Sequence, residues 1–388
     1  MVDPFRRPGR IIVTCSKRLS PYLEAEITEL GYQPVRVFQT GVELHGSMDD
    51  CMVLNLNLRC ASQVLYSLGE LKARDPEGLY QGLIRFPWEQ VISHEDYFSV
   101  TSNVSTPSVN NALFVNVRVK DAIADRIRTK TGKRPDSGAD LKGAVIHVYW
   151  KDRDAEVFID TSGETLAKHG YRKIPGKAPM LESLAAATIM ASQWDPTTPF
   201  INPMCGSGTL AIEAALLATN RKPGLYRSHF AFMHVKGYQP DRFRQLMASL
   251  QQNIREQPHI KIVATDNSLD AIRIAKANAE SAGVAHCIHF EKCDFEKTPI
   301  PPGRKGVIFF NPEYGERLGE VRALEQTYKR IGDFMKQKGE GYIGCVFTGN
   351  PDLAKKIGLR PARRIEFYSA KIDCRLLRYE LYAGSREV

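Results

Sequence analysis

The feature that most constrains this chain is a short glycine-containing loop set between a strand and a helix. Asn202-Pro203-Met204-Cys205-Gly206-Ser207-Gly208-Thr209 directly follows the hydrophobic run Pro199–Asn202 and opens the apolar helix Leu210–Ala218. Its glycines let the backbone pass close to a ligand. The free amides of the loop and helix N-terminus then favour an anionic or electron-rich group such as a carboxylate or phosphate. Strands are predicted at Pro199–Asn202, Lys261–Asp266, Ile288–Asp294, Val307–Asn311 and Tyr342–Thr348. Helical stretches separate them, which is the pattern of a doubly wound parallel α/β sheet. Two β-rich runs, Arg364–Ser369 and Cys374–Tyr382, predict an antiparallel hairpin at its end. The stretch Thr219–Pro258 is too long for one connection and predicts an inserted helix.

The first part of the chain has a different texture. Strands at Ile11–Cys15, Val35–Phe38, Gly41–His45 and Ala61–Ser67, with helices at Ser20–Leu30 and Ser47–Leu56, give the order βαββαβ of a ferredoxin-like unit. A helix near Phe86–Ile92, a strand Tyr97–Ser102, an amphipathic helix Asn110–Thr131 and strands Val145–Trp150 and Glu156–Thr161 predict a second small α+β domain. The expected organisation is therefore 1–68, 69–162 and 163–388, which suits a chain of 388 residues. With 43% hydrophobic and 25% charged residues, disorder is excluded. No apolar run approaches membrane-spanning length, Ile11–Cys15 is too short for a signal peptide, and the eight cysteines form no Cys-x-x-Cys pair. Reduced thiols and a cytosolic location are expected. The net charge of +9 lies wholly beyond residue 170 and points to a polyanionic partner.

Gly206, Gly208 and Ala211 satisfy the dinucleotide pattern G-x-G-x-x-A, but Arg227 and Ser228 stand where its acid belongs. The acid appears instead as Asp266, followed by Asn267, where a carboxylate could accept both hydroxyls of a ribose. One strand later Cys293-Asp294-Phe295 offers an acceptor for an adenine amino group and a ring to lie against its face. Both acids sit at the carboxyl edge of the sheet, where open α/β sheets bind ligands, although either could cap a helix. The fourth strand ends in Asn311-Pro312-Glu313-Tyr314. The Asn carboxamide oxygen and the Pro carbonyl can both accept hydrogen bonds from an exocyclic amine and align its lone pair on an electrophilic methyl, while Tyr314 stacks on the base. Cys287, His289, Glu291 and Cys293 share one face of a strand, but their spacing argues against zinc, and no metal is expected.

Asn311-Pro312-Glu313-Tyr314 resembles the (Asp/Asn)-Pro-Pro-(Tyr/Phe) signature of class I S-adenosylmethionine-dependent amino methyltransferases, and Gly315-Glu316-Arg317-Leu318 extends it toward the THUMP-domain RNA methyltransferases. Gly163-Glu164-Thr165-Leu166 with His169-Gly170-Tyr171-Arg172, the run Pro179–Ala187, and Asp373–Leu381 resemble further segments of that family. The likeness spans about Arg10 to Tyr382. It implies a Rossmann-like methyltransferase domain behind a ferredoxin-like and THUMP-type N-terminal part, S-adenosylmethionine as cofactor, and transfer to guanosine N2 of structured RNA, ribosomal RNA before tRNA. Carried over, Asn202 and Cys205, Gly206, Ser207, Gly208 and Thr209 hold the methionine end of the cofactor, Asp266 with Asn267 the ribose, Asp294 and Phe295 the adenine. Asn311, Pro312, Glu313 and Tyr314 position the base. Glu313 departs from the family, which has a second proline there; the change restores an amide and puts a carboxylate near the reaction.

Two basic runs are candidates for RNA contact. Arg118–Arg134 has seven basic and two acidic residues, and Lys355–Arg378 has eight and two. The first falls in the THUMP-like part, which favours phosphate contact through Arg126, Arg128, Lys130, Lys133 and Arg134. Competing readings are adenine-N6 methylation of DNA, a catalytically silent RNA-binding protein, and a nicotinamide oxidoreductase.

Overall fold

The computed structural model describes residues 5, 7–109, 111–176, 179–256, 261–303, 305–314 and 318–382, with backbone alone for 318–323. Asn110, Pro258, Gly315, Glu316 and Arg317, which enter the expectations above, lie outside the described residues. The chain divides into two compact units, and the division is not colinear. The first comprises Met1–Cys15, Leu23–Leu166 and Arg227–Ser249; the second comprises Ser16–Tyr22, Ala167–Tyr226 and Leu250–Val388.

The N-terminal elements are β1 (Gly9–Thr14), α1 (Ser20–Glu29), β2 (Pro34–Phe38), β3 (Gly41–Gly46), α2 (Met48–Asn57), β4 (Gln63–Lys72), α3 (Pro76–Leu83), β5 (Tyr97–Ser105), α4 (Ala112–Thr131), β6 (Asp136–Gly138), β7 (Ala144–Lys151) and β8 (Asp154–Asp160). Their strands form one eight-stranded sheet in the order β2-β3-β1-β4-β8-β7-β5-β6. β1 to β4 have the ferredoxin-like order. The helices start where side chains cap them: Asp50 closes a capping box with Ser47 at α2, and Asn111 accepts from the Leu113 amide at α4.

Two local expectations are corrected. β4 does not stop at Ser67 but continues to Lys72 through an irregularity at Gly69, whose φ of +146° few other residues adopt. Its far half pairs with β8, so the two small folds share a sheet and the boundary expected at residue 68 falls inside a strand. The helix expected near Phe86–Ile92 is a single 3-10 turn, Trp88–Gln90, and the helix proper is α3. There the Asp75 carboxylate accepts from the Gly78 amide at 2.7 Å and Pro76 fills the first turn. The short parallel strand β6 carries no hydrophobic signal.

The remaining elements are α5 (Glu182–Ser192), β9 (Phe200–Pro203), α6 (Thr209–Ala218), α7 (Pro240–Gln252), β10 (Ile262–Asp266), α8 (Leu269–Ser281), β11 (Ile288–Lys292), β12 (Val307–Phe310), α9 (Leu318–Lys338), β13 (Ile343–Thr348), α10 (Pro351–Lys356), β14 (Arg363–Ser369) and β15 (Ile372–Glu380). The second unit is built on a seven-stranded sheet in the order β11-β10-β9-β12-β13-β15-β14. It is parallel up to β13, and β15 runs antiparallel to both β13 and β14. Its central strands are buried on both faces, as helices on both sides require; all four residues of β12 are inaccessible. The inserted helix predicted between the first two strands is α7. Most of it belongs to the first unit, where the Phe232 amide donates to the Thr161 carbonyl and the Lys236 amide to that of Val91.

Candidate active site at the carboxyl edge of the seven-stranded sheet

The strand order reverses between β9 and β12, and a crevice at such a point is the usual ligand site of an open α/β sheet. The two strands pair at Phe200–Val307 and Ile201–Ile308. Beyond that the Asn202 carboxamide bridges them, Nδ2 donating to the Phe309 carbonyl at 2.9 Å. Asn202 is 1% exposed, and its Oδ1 has no hydrogen-bond partner among the described residues. An orphaned buried acceptor beside a crevice is a ready contact for a donor on a ligand.

The loop after β9 passes through left-handed backbone at Met204, Gly206 and Gly208. At Gly208 a Cβ would stand 2.8 Å from that of Ala275, so close packing with α8 demands glycine; at Gly206 it would project into open space. Three loop amides expected to be free are engaged, Gly208 donating to the Cys205 carbonyl at 2.9 Å. Cys205 donates to the Thr265 carbonyl at 2.9 Å and Gly206 to Asp266 Oδ2 at 3.0 Å. Donors for an anion are therefore the first amides of α6, which have no acceptor within the helix. Burial, with Asp266 adding to it, pushes the Cys205 thiol up and makes it a poor nucleophile.

Asp266 serves the loop as well as the edge: its other oxygen accepts from the Ser268 amide at 2.9 Å. Each oxygen keeps a lone pair for a further donor. Asn267 beside it is exposed. Asp294 is less open than expected, because Arg330 donates to both of its oxygens at 2.9 Å and the Glu296 amide to one at 3.0 Å. Burial acts to raise its pKa, yet the Glu296 amide and Arg330 hold the carboxyl below its usual range. Phe295, expected to lie against the adenine face, sits largely in the core. It is 7% exposed, meets Phe310 and Phe334 edge to face, and has the Arg330 guanidinium 4.8 Å from its ring centre. An aromatic directly after a strand-end acid looks the same in sequence whether it points outward or back into the core.

At the end of β12, Asn311 is half-buried and its carboxamide has no hydrogen-bond partner among the described residues. Pro312 is buried, Glu313 exposed and Tyr314 half-buried. The Tyr314 carbonyl accepts from Asn350 Nδ2 at 3.2 Å, and its ring edge would lie 3.2 Å from a Cβ on Gly349. The absence of a side chain at the end of β13 thus seats that ring.

Two residues given no role in the sequence reading position the loop. Asn278 sits in α8, where an Asn ordinarily faces solvent, yet it is fully buried. Its Oδ1 accepts from the amides of Lys173 and Ile174, and its Nδ2 donates to the carbonyls of Ile174 and Ser207. Arg172 donates to the Met180 carbonyl at 2.6 Å and to Thr209 Oγ1 at 2.9 Å. Together they fasten the segment after Tyr171 onto the glycine loop. At the opposite edge of the sheet His289 contacts Glu291 at 3.2 Å, and among the described residues no three metal-ligating side chains converge.

The basic run in the first unit divides by partner. Arg126 holds Glu89 with two bonds of 2.8 and 3.0 Å, and Arg128 and Arg134 pair with Asp125. Lys130 and Lys133 are exposed and have no ion-pair partner among the described residues. The Arg126 guanidinium keeps the Glu89 carboxyl below its usual range.

The sequence pattern of the RMKL-like methyltransferase domain matches residues 169–378, more than half of the chain. The chain belongs to the RMKL-like methyltransferases. As a member of this family it uses S-adenosylmethionine as methyl donor. The orphaned Asn202 Oδ1, the open space over Gly206 and the Asp266 carboxylate at the strand end fit such a cofactor. The patterns of the RlmL ferredoxin-like domain and the THUMP domain match residues 10–65 and 73–160. A Synechocystis protein named "putative RNA methyltransferase" is 31% identical over 369 residues, covering 95% of this chain and 96% of that one. The ribosomal RNA large subunit methyltransferase K/L of Syntrophotalea carbinolica is 32% identical over 385 residues, and this chain spans 54% of its length. A crystal structure titled "SMU.472, a putative methyltransferase complexed with SAH" superposes with a TM-score of 0.88 at 26% identity, covering 98% of this chain and all of the other. No helix among the described residues is long and apolar enough to cross a membrane.

Proposed function

We propose that this protein methylates the exocyclic N2 of a guanosine in structured RNA, large-subunit ribosomal RNA first and tRNA second. The observation that carries the reading is the unpartnered Asn311 carboxamide at the end of β12, next to the strand-order reversal and followed by a ring seated on Gly349. In this reading 1–68 and 69–162 are the ferredoxin-like and THUMP parts and 163–388 the catalytic domain, from which the chain leaves at Arg227–Ser249 to pack with the first unit. Asn202 and Cys205–Thr209 hold the methionine end of the cofactor, Asp266 with Asn267 the ribose, and Asp294 with the Phe295 backbone the adenine edge. When bound, the sulfonium supplies an already activated methyl group. Asn311 Oδ1 and the Pro312 carbonyl accept the two amine hydrogens and turn the nitrogen lone pair toward it, and Tyr314 stacks on the base. The RNA-binding part and the two RNA methyltransferase relatives favour RNA over DNA. Labelled methyl transfer to unmodified ribosomal RNA, tRNA and DNA tests this. Label in N2-methylguanosine of RNA is expected, and label confined to N6-methyladenine of DNA would overturn it.

RNA docking is expected to depend on the unpaired cations. Lys130→Gln with Lys133→Gln should weaken RNA binding and reduce the slope of log affinity against log salt by about one per lost phosphate contact. Adding Arg126→Gln, Arg128→Gln and Arg134→Gln should weaken it further, with Arg126→Gln also lowering the melting temperature because Glu89 is left alone. An unchanged slope in the double variant would return this run to an ordinary solvated helix end.

Glu313→Pro is expected to raise turnover. Proline fixes φ near −65°, which narrows the geometries open to Asn311 and Tyr314, and transfer from a sulfonium needs alignment more than a strong base. Single-turnover rates across pH decide the point. If proline slows the reaction and Glu313→Gln removes a pH step, the carboxylate takes part in proton removal instead.

A further inference from the structure

β13, α10 and the β14–β15 hairpin line an open cavity of about 620 Å³. Ligand sites for small molecules run to roughly 300–1,000 Å³. Its lining is apolar at Ala354, Leu359, Ile372 and Leu377. Tyr379 forms part of the wall; it is 2% exposed, and its hydroxyl has no hydrogen-bond partner among the described residues. A buried hydroxyl without a partner is an uncommon and costly state, which a polar ligand in the cavity would relieve. The rim is cationic. Arg364 is exposed without an acidic partner among the described residues, and so is Arg360, which lies between the lining residues Leu359 and Pro361. Asp373 also lines the cavity, but Arg18 and Arg375 neutralise it. Gly349 belongs to the lining and is also the residue against which the Tyr314 ring sits, so the cavity adjoins the base-positioning turn.

An apolar floor for the face of a base, a lone hydroxyl for its polar edge and unneutralised guanidinium groups for phosphate together describe a nucleotide. We propose that this cavity binds a nucleotide of the substrate RNA next to the one that is methylated, an inference that rests on the RNA reading above. It also assigns a role to the C-terminal basic run, which the methyl-transfer site does not use. A second protein copy would meet the same apolar floor but would bring the rim arginines of the two copies together.

The test compares three variants with the wild-type chain. Ala354→Trp fills the cavity, Tyr379→Phe removes only the unpartnered hydroxyl, and Arg364→Gln removes one rim charge. Thermal melting establishes folding, and affinity is measured for unmodified large-subunit ribosomal RNA and for S-adenosylhomocysteine. Ala354→Trp should weaken RNA binding by about tenfold and the other two several-fold, with cofactor affinity unchanged. Wild-type RNA affinity in folded Ala354→Trp overturns the proposal, including the case where that variant instead alters dimerisation in sedimentation. If the tryptophan variant does not fold, wild-type RNA affinity in both Tyr379→Phe and Arg364→Gln overturns it. RNA binding is the readout here, so a wild-type protein that binds RNA without methylating it sinks the methylation reading while Ala354→Trp still decides the cavity. Wild-type protein that binds no RNA sinks both.

Discussion

Replacing Asn311 by alanine is expected to stop methyl transfer while leaving the affinity for S-adenosylhomocysteine and for RNA close to wild type. The carboxamide makes no internal hydrogen bond among the described residues, so its loss leaves no buried group stranded and the fold should persist. Its proposed contact is to the reacting amine alone, and misalignment of a reacting pair costs about a hundredfold or more. Turnover should therefore fall at least that far without a matching change in binding. Asn202→Ala is the informative contrast: it strips the Phe309 carbonyl of its buried donor and should lower both stability and cofactor affinity. Wild-type single-turnover methylation by Asn311→Ala would reduce Asn311 to a turn residue.

Asp266→Ala is expected to weaken S-adenosylmethionine binding by about 1–3 kcal/mol, the cost of leaving ribose hydroxyls without a charged acceptor. The carboxylate's second duty adds to this, since its removal also releases the Gly206 and Ser268 amides that shape the glycine loop. Asp266→Asn keeps a carbonyl oxygen for one of those amides and should lose less. Calorimetric titration of folded Asp266→Ala showing unchanged affinity would remove Asp266 from the cofactor site.

Residues whose placement is set by their position along one strand were legible. The glycine loop after Pro199–Asn202, Asp266 and Asn311 announce themselves because strand, turn and helix follow each other within a dozen residues. Roles that depend on distant partners were not. Arg330 reaches Asp294 and Asn278 reaches Lys173 across 36 and 105 positions, and no local pattern marks either. Gly69 looks like a strand terminator because glycine weakens strands, yet the β8 pairing carries β4 through it. The insertion was visible as excess length, but its membership of the first unit depends on acceptors at Val91 and Thr161 that lie far upstream.

The most direct measurement is mass-spectrometric comparison of modified nucleosides in large-subunit ribosomal RNA, tRNA and DNA from cells with and without the gene. N2-methylguanosine should fall in large-subunit RNA when the gene is deleted, return with the wild-type chain and fail to return with Asn311→Ala. Unchanged N2-methylguanosine in every RNA class, with or without a loss of N6-methyladenine from DNA, would contradict guanosine N2 as the acceptor.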